Sequence, residues 1–149
     1  MTRSEIREIA MHVSFALGAH PQSADALLDV FLDREYYQTL AEEDELYADD
    51  PSCNQIAYLI QMAHGLGEHL IELDMYIEKY AQGWKVGRIS RVAVAIMRVS
   101  MYEILYVPEV PGGVAINEAV EMAKRYEDAD TVKFLNGILG SFIRAEVRA

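Results

Sequence analysis

The fold of this chain is decided by RISRVAVAIMRVSMYEIL, residues 88–105. Its apolar residues recur at helical spacing and fall on nearly every side of the helix: Ile89, Val92, Val94, Ile96, Val99, Met101, Ile104 and Leu105. A helix that is apolar all round is enclosed by other elements. The segment therefore predicts a central helix with other helices packed around it.

Before this central helix, apolar residues recur at helical spacing in three segments, at residues 3–17, 23–36 and 52–81. Ser23 is expected to cap the second segment. Asp50, followed by Pro51 at the first helical position, is expected to cap the third. Gly65 and Gly67 weaken that third segment or divide it in two.

After the central helix, Pro108 and Pro111 act as stop signals. Two amphipathic helices are then expected, at about residues 114–126 and 131–147. Asp130 is the expected N-cap of the second of them.

The glycines at positions 83 and 87, on either side of Trp84 and Lys85, are interpreted as a joint between two halves. No segment shows the sustained period-two alternation of strands. We therefore predict an all-α fold of six or seven helices in two small packed bundles. The chain is expected to form one domain over residues 1–149, with helical subdomains at about 1–83 and 84–149.

The length and composition describe an ordinary globular protein. A chain of 149 residues suits one domain and buries roughly 70% of its unfolded surface, so it needs no disulfide or metal to fold. Its one cysteine, Cys53, cannot form an internal disulfide. Charges at Arg3, Glu5 and Arg7 replace the apolar core of a signal peptide, and no segment approaches the roughly 18 apolar residues of a membrane span. We expect a cytoplasmic protein.

The net charge of −11 is distributed unevenly. Residues 1–83 contain 4 basic and 16 acidic side chains, whereas residues 84–149 contain 9 basic and 8 acidic ones. The acidic run EEDELYADD at residues 42–50 is too charged to bury, so we expect a solvated connection there. Because phosphate contacts need local positive charge, a polyanion is expected to meet the second half, or the extreme N-terminus at Arg3 and Arg7.

The histidines and carboxylates do not form a catalytic or metal-binding pattern. His64, Glu68 and Glu72 share one helix face by spacing, but no Glu is followed three positions later by His, as di-iron bundles require. His64 and His69 are five positions apart and Cys53 stands alone, which does not suit zinc. A G-x-S-x-G elbow and the lysine of a phosphate loop are also missing. We expect no catalytic residue, metal or cofactor.

The basic residues around the start of the central helix allow two interpretations. Lys85, Arg88, Arg91 and Arg98 would form a basic ridge that binds phosphate. Alternatively Arg98, which lies mid-helix among apolar residues, pairs with a carboxylate such as Glu118 in the core.

Lys133 and Phe134 also allow two interpretations. They are placed in the first turn of the last helix, where backbone N–H groups and the positive end of the dipole face outward. An aromatic ring beside a lysine can seat an unpaired base by stacking and charge. The alternative is that Phe134 is a core residue.

Three blocks of the second half resemble the NusB family of transcription antitermination factors: RISRVAVAIMRVSMYEIL at 88–105, VPEVPGGVAINEAVEMAKRY at 107–126 and KFLNGIL at 133–139. The resemblance covers about residues 84–142. The first half matches in outline, at Arg3, Arg7, Glu8 and Phe15.

This resemblance implies an all-α protein that regulates transcription by binding RNA and is not an enzyme. Members pair with NusE, a ribosomal protein that doubles as an elongation factor. The pair recognises single-stranded boxA RNA of nascent ribosomal RNA and helps the RNA polymerase elongation complex to resist termination. Carried over to this sequence, the implied RNA contacts are Arg3, Arg7 and Phe15 in the first helix and Asp130, Lys133 and Phe134 at the start of the last.

Two departures from the usual sequence of the NusB family leave an alternative function open. Family members often carry several more arginines at the N-terminus and a glutamine where this sequence has His12, which predicts a lower intrinsic RNA affinity. The alternative is a helical interaction module that keeps the fold without binding RNA, acting through protein partners or as a homodimer.

Overall fold

The computed structural model describes residues 1–19 and 23–147, with the backbone alone at Ala19. All regular structure in these ranges is helical. The eight α-helices are α1 (Arg3–Ala19), α2 (Ala24–Phe31), α3 (Arg34–Glu43), α4 (Cys53–Glu68), α5 (Leu70–Tyr80), α6 (Arg91–Tyr106), α7 (Gly112–Tyr126) and α8 (Ala129–Phe142). Shorter helical turns lie at Glu45–Tyr47, Val86–Arg88 and Ile143–Val147. The all-α prediction is confirmed, with eight helices where six or seven were expected. None of the helices in these ranges combines the length and apolar character that a membrane span needs.

The chain divides into two compact units, one ending at Glu68 and the other beginning at His69. The first contains α1 to α4 and the second α5 to α8. This boundary lies before α5, whereas the glycine pattern predicted a joint near residue 83. Helix α5 belongs to the second unit because it packs against α6 and α8 and buries Leu73 and Ile77 completely. Gly83, at φ +94°, follows α5 in a turn within that unit.

Local hydrogen bonds divide the first unit more finely than the sequence predicted. Ser23 caps α2 as expected, its hydroxyl accepting from the Ala26 N–H. The predicted helix over residues 23–36 is nevertheless two helices, because the Asp33 carboxylate accepts from the Tyr36 N–H and starts α3. Helix α4 is capped by Ser52 rather than Asp50, since the Ser52 hydroxyl accepts from the Gln55 N–H.

The acidic run over residues 42–50 is more structured than the solvated connection that its charge predicted. Its Leu46 and Tyr47 side chains lie in a helical turn and are only 8% and 3% exposed. The two apolar side chains of the run therefore join the core, while the carboxylates stay in solvent.

The second unit is built around α6, as the all-round apolar pattern predicted. Every residue from 93 to 103 is buried, and α6 packs against α5, α7 and α8. The last helix contributes the buried stripe Leu135, Ile138, Leu139 and Phe142. This packing holds the start of α8 and the segment before α6 in fixed positions within the unit.

Candidate nucleic-acid interface

The start of α1 presents Arg3 to solvent. Thr2 and Glu5 form a reciprocal cap: the Thr2 hydroxyl accepts from the Glu5 N–H at 3.0 Å, and Glu5 Oε1 accepts from the Thr2 N–H at 2.7 Å. These bonds fix the first turn, in which Arg3 is exposed and forms no ion pair with any residue that the structure describes. Arg3 is therefore available to a phosphate.

The other two predicted contacts on α1 are less open. Arg7 is only 7% exposed and already interacts within the protein, although it lies one turn from the exposed Arg3. The reason is that α1 packs against both α2 and α4. It therefore buries a second stripe, Arg7, Met11 and Ser14, beside its apolar stripe of Ile6, Ala10, Val13 and Leu17. Phe15 is half-buried.

His12 also faces the interior of the first unit. Its Nδ1 shares a hydrogen bond with the Tyr47 hydroxyl, and the two rings stack with centroids 5.7 Å apart. Burial lowers the pKa of His12, so the ring is neutral at pH 7. A neutral imidazole adds no positive charge to α1.

The start of α8 carries the other three predicted contacts, two residues further into the helix than expected. Asp128, not Asp130, is the N-cap, and its carboxylate accepts from the Thr131 N–H at 2.8 Å. Asp130 is exposed in the first turn, where a carboxylate interacts favourably with the helix dipole. Lys133 is exposed and Phe134 half-buried in the second turn. Lys133 has no ion pair among the described residues.

Asp128→Ala is expected to lower the melting temperature at pH 7, because the Thr131 N–H loses its acceptor. The hydrogen bond from Thr131 lowers the pKa of Asp128 below its ordinary 3.8. This contribution is therefore fully present above about pH 4 and is lost as the pH falls through the folded-state pKa. Thermal melts followed by circular dichroism from pH 7 to pH 2 test this, with Asp130→Ala as the matched control. An equal loss in Asp130→Ala would show that the cap is misassigned.

Phe134 lies beside a groove that the sequence did not predict. The ring forms an edge-to-face pair with Trp84, with centroids 6.1 Å apart and planes at 65°. The groove has a volume of about 350 Å³ and is lined by Trp84, Arg88, Ile89, Ser90, Asp130, Thr131 and Phe134. It therefore brings together two of the predicted contacts, Asp130 and Phe134. In the sequence, Trp84 was noted only at the joint between the glycines at positions 83 and 87.

The predicted basic ridge is only partly formed. Arg98 is 8% exposed and makes two hydrogen bonds to Asp74, from Nε to Oδ1 at 2.7 Å and from Nη2 to Oδ2 at 2.9 Å. The core ion pair is thus present, with Asp74 rather than Glu118 as the partner. Lys85 Nζ lies 3.7 Å from Glu78 Oε2. Arg88 and Arg91 are exposed and form no ion pair with any described residue.

The carboxylate and histidine stripe predicted at positions 64, 68 and 72 of one helix is divided between two helices. Helix α4 ends at Glu68, so Glu72 lies on another helix, and His64 Nε2 lies 3.1 Å from Asp25 Oδ1. Within residues 1–19 and 23–147, no three His, Cys, Asp or Glu side chains are grouped as metal ligands would be.

Comparison with known proteins agrees with this architecture. The sequence model of the NusB family matches residues 4–144. The transcription antitermination protein NusB of Ligilactobacillus salivarius is 35% identical over 144 residues, covering 96% of this chain and 98% of that protein. The NusB of Agathobacter rectalis is 35% identical over 145 residues, covering 95% and 99%. The solved structure of T. maritima NusB has a TM-score of 0.74 at 27% identity, covering 99% of this chain and 94% of that one. The chain therefore belongs to the NusB family.

Proposed function

We propose that the protein is a transcription antitermination factor that binds single-stranded boxA-type RNA of nascent ribosomal RNA together with NusE, within the RNA polymerase elongation complex. Family membership over residues 4–144 supports this proposal, since the curated relatives are named transcription antitermination proteins. The protein acts by binding and not by catalysis. NusE and the RNA polymerase are the protein partners in this proposal, and boxA RNA is the ligand.

The observation that carries the RNA-binding part of the proposal is the second turn of α8. Phe134 is half-buried beside an open groove, next to the exposed Lys133. Aromatic rings that stack on unpaired bases, with a cation nearby for the phosphate, are the usual elements of single-strand binding. Asp130, one turn earlier, can accept hydrogen bonds from base amino groups.

The contacts proposed on α1 contribute unequally. Arg3 is open to a phosphate, and the half-buried Phe15 offers part of its ring. Arg7 is only 7% exposed, so it contributes least to direct RNA contact and most to the packing of α1. At most three cations among these proposed contacts, Arg3, Arg7 and Lys133, therefore meet phosphates.

RNA binding by the isolated protein is expected to be weak, to strengthen with NusE, and to fall gently with salt. Each phosphate contact on a single strand contributes roughly −0.7 to the slope of log K against log salt concentration. Three contacts or fewer give a slope of about −2. Fluorescence anisotropy of a labelled boxA-type RNA, with and without NusE over a salt series, measures both quantities.

Two controls sharpen that titration. Arg3→Gln and Lys133→Gln should each make the slope of log K against log salt concentration less negative by about 0.7. An RNA with a scrambled boxA sequence measures nonspecific binding. Failure to bind boxA RNA with NusE present would overturn the proposed function, and a much steeper slope for the isolated protein would show that further cations take part.

A second candidate function is RNA-independent association, either with a protein or as a homodimer. The feature that favours it is an apolar face on α5, where Ile71 and Met75 lie one turn apart and are 79% and 67% exposed. In that case sedimentation would show a dimer that dissociates in an Ile71→Lys variant, while boxA RNA would not bind.

A further inference from the structure

We propose that the groove between Trp84 and Phe134 seats one unpaired base of the RNA, stacked on Trp84, with Arg88 at an adjoining phosphate. This inference rests on the proposed function and adds Trp84 and Arg88 to the site. The RNA contacts of the second unit then extend from α8 to the segment that precedes α6.

Trp84 provides a stacking surface that the fold leaves uncovered. Its side chain is 54% exposed, although tryptophan is highly buried on average in proteins. Its single ring partner among the described residues is Phe134, in an edge-to-face arrangement. In such a pair, the ring that presents its edge keeps both faces uncovered by the other ring. A third planar ring can therefore stack on the pair, as bases do on aromatic platforms.

The groove suits a base in size and in chemistry. A volume of about 350 Å³ lies at the small end of the range of about 300–1,000 Å³ typical of small-molecule sites. Trp84, Ile89 and Phe134 give it apolar walls, and Arg88, Asp130 and Thr131 place polar groups along them. An aromatic platform with a few polar groups matches a nucleobase, which has a flat apolar face and a polar edge.

The charge at the groove fits a nucleic-acid backbone. Arg88 lines the groove, is exposed and forms no ion pair with any described residue. Of the other basic residues around it, Lys85 lies near Glu78 and Arg98 is bound to Asp74, whereas Arg91 is open but lies outside the groove. A planar guanidinium suits phosphate oxygens. With Arg3 and Lys133, Arg88 makes three exposed cations among the proposed RNA contacts, whereas Arg7 is buried.

Trp84 is the only tryptophan of the chain, so its emission reports directly on this groove. A boxA-type RNA oligonucleotide is titrated into the complex with NusE, while Trp84 emission and RNA anisotropy are recorded together. The complex that contains Trp84→Phe supplies the background emission. We expect the emission to be quenched with the same midpoint as the anisotropy change, because a stacked base quenches the indole.

Substitutions separate stacking from general charge or folding effects. Trp84→Ala should weaken RNA binding by roughly 5- to 150-fold, the range found when a stacking ring is removed, and Trp84→Phe should keep most of the affinity. Tyr36→Ala is the matched aromatic control: Tyr36 is 41% exposed and pairs edge-to-face with Phe31 on the first unit. Arg88→Gln should reduce the steepness of the salt dependence by about 0.7, and Arg91→Gln, outside the groove, should reduce it less.

The outcomes distinguish this inference from the proposed function. Quenching together with the loss of affinity in Trp84→Ala would support the groove. Normal RNA binding by Trp84→Ala, or RNA binding without a change of Trp84 emission, would overturn the groove and leave the proposed function intact. If the NusE complex of the unaltered protein gives no anisotropy change with boxA RNA, both proposals are overturned.

Discussion

Asp74→Ala is expected to destabilise the protein by about 3 kcal/mol, because it leaves the Arg98 guanidinium buried without its partner. Arg98 is 8% exposed and Asp74 29% exposed, and two hydrogen bonds of 2.7 and 2.9 Å join them. Removing one member of a buried pair costs about 3–5 kcal/mol. We expect the lower end of that range because Asp74 itself is partly in water. Urea unfolding at pH 7 measures the effect.

Two further variants test the explanation. Glu121→Ala breaks the exposed pair between Lys124 and Glu121, whose side chains are 57% and 52% exposed, and should cost below about 1 kcal/mol. The double variant Asp74→Ala with Arg98→Met should recover part of the loss, since an apolar replacement removes the stranded charge. If Asp74→Ala is no more destabilising than Glu121→Ala, the pair does not hold α5 to α6.

The sequence predicts that Arg98 has a carboxylate partner but does not identify that partner. A cation in the middle of an all-round apolar helix needs a carboxylate, and this much follows from the sequence alone. The identity of that carboxylate depends on which helix packs beside α6. Asp74 lies on α5, which the glycine pattern assigned to the other half of the chain, so Glu118 was expected instead.

The N-cap of α8 and the burial of Arg7 were also missed because they depend on the backbone path and on helix packing, which the sequence does not specify. Asp128 and Asp130 are equally suitable caps by residue type, and only the backbone path decides between them. For α1, the helix was predicted from the spacing of its apolar residues, but a second buried stripe arises because two helices pack against it. Arg7 lies on that stripe and is buried with it.

The candidate site was predicted in part. Lys133 and Phe134 follow from the pattern of a cation beside an aromatic ring near a helix start, supported by the family motif. The groove could not be predicted, since Trp84 is distant from Phe134 in the sequence and only the packing of the second unit brings the two rings together. The exposure of Trp84 next to Arg88 indicates a binding site, but this exposure is known only from the structure.

Phe134→Ala is expected to weaken binding of boxA RNA to the NusE complex by about 1–3 kcal/mol, the value of one stacked base. The free energy of unfolding should change by less than the about 3–5 kcal/mol that removal of a core phenylalanine costs. The reason is that Phe134 is half-buried at a groove, whereas Leu135, Ile138, Leu139 and Phe142 complete the buried stripe of α8 without it. RNA anisotropy and urea unfolding on the same variant measure the two quantities.

Phe142→Ala is the matched control for this pair of measurements. Phe142 lies two turns further along α8 and is completely buried, so its truncation should cost about 3–5 kcal/mol of stability by leaving a cavity. Comparing the two variants therefore distinguishes a phenylalanine that stabilises the core from one that contacts RNA, on the same helix. If Phe134→Ala loses as much stability as Phe142→Ala and still binds RNA normally in the NusE complex, then Phe134 is a core residue, and the proposed base contact on α8 is wrong.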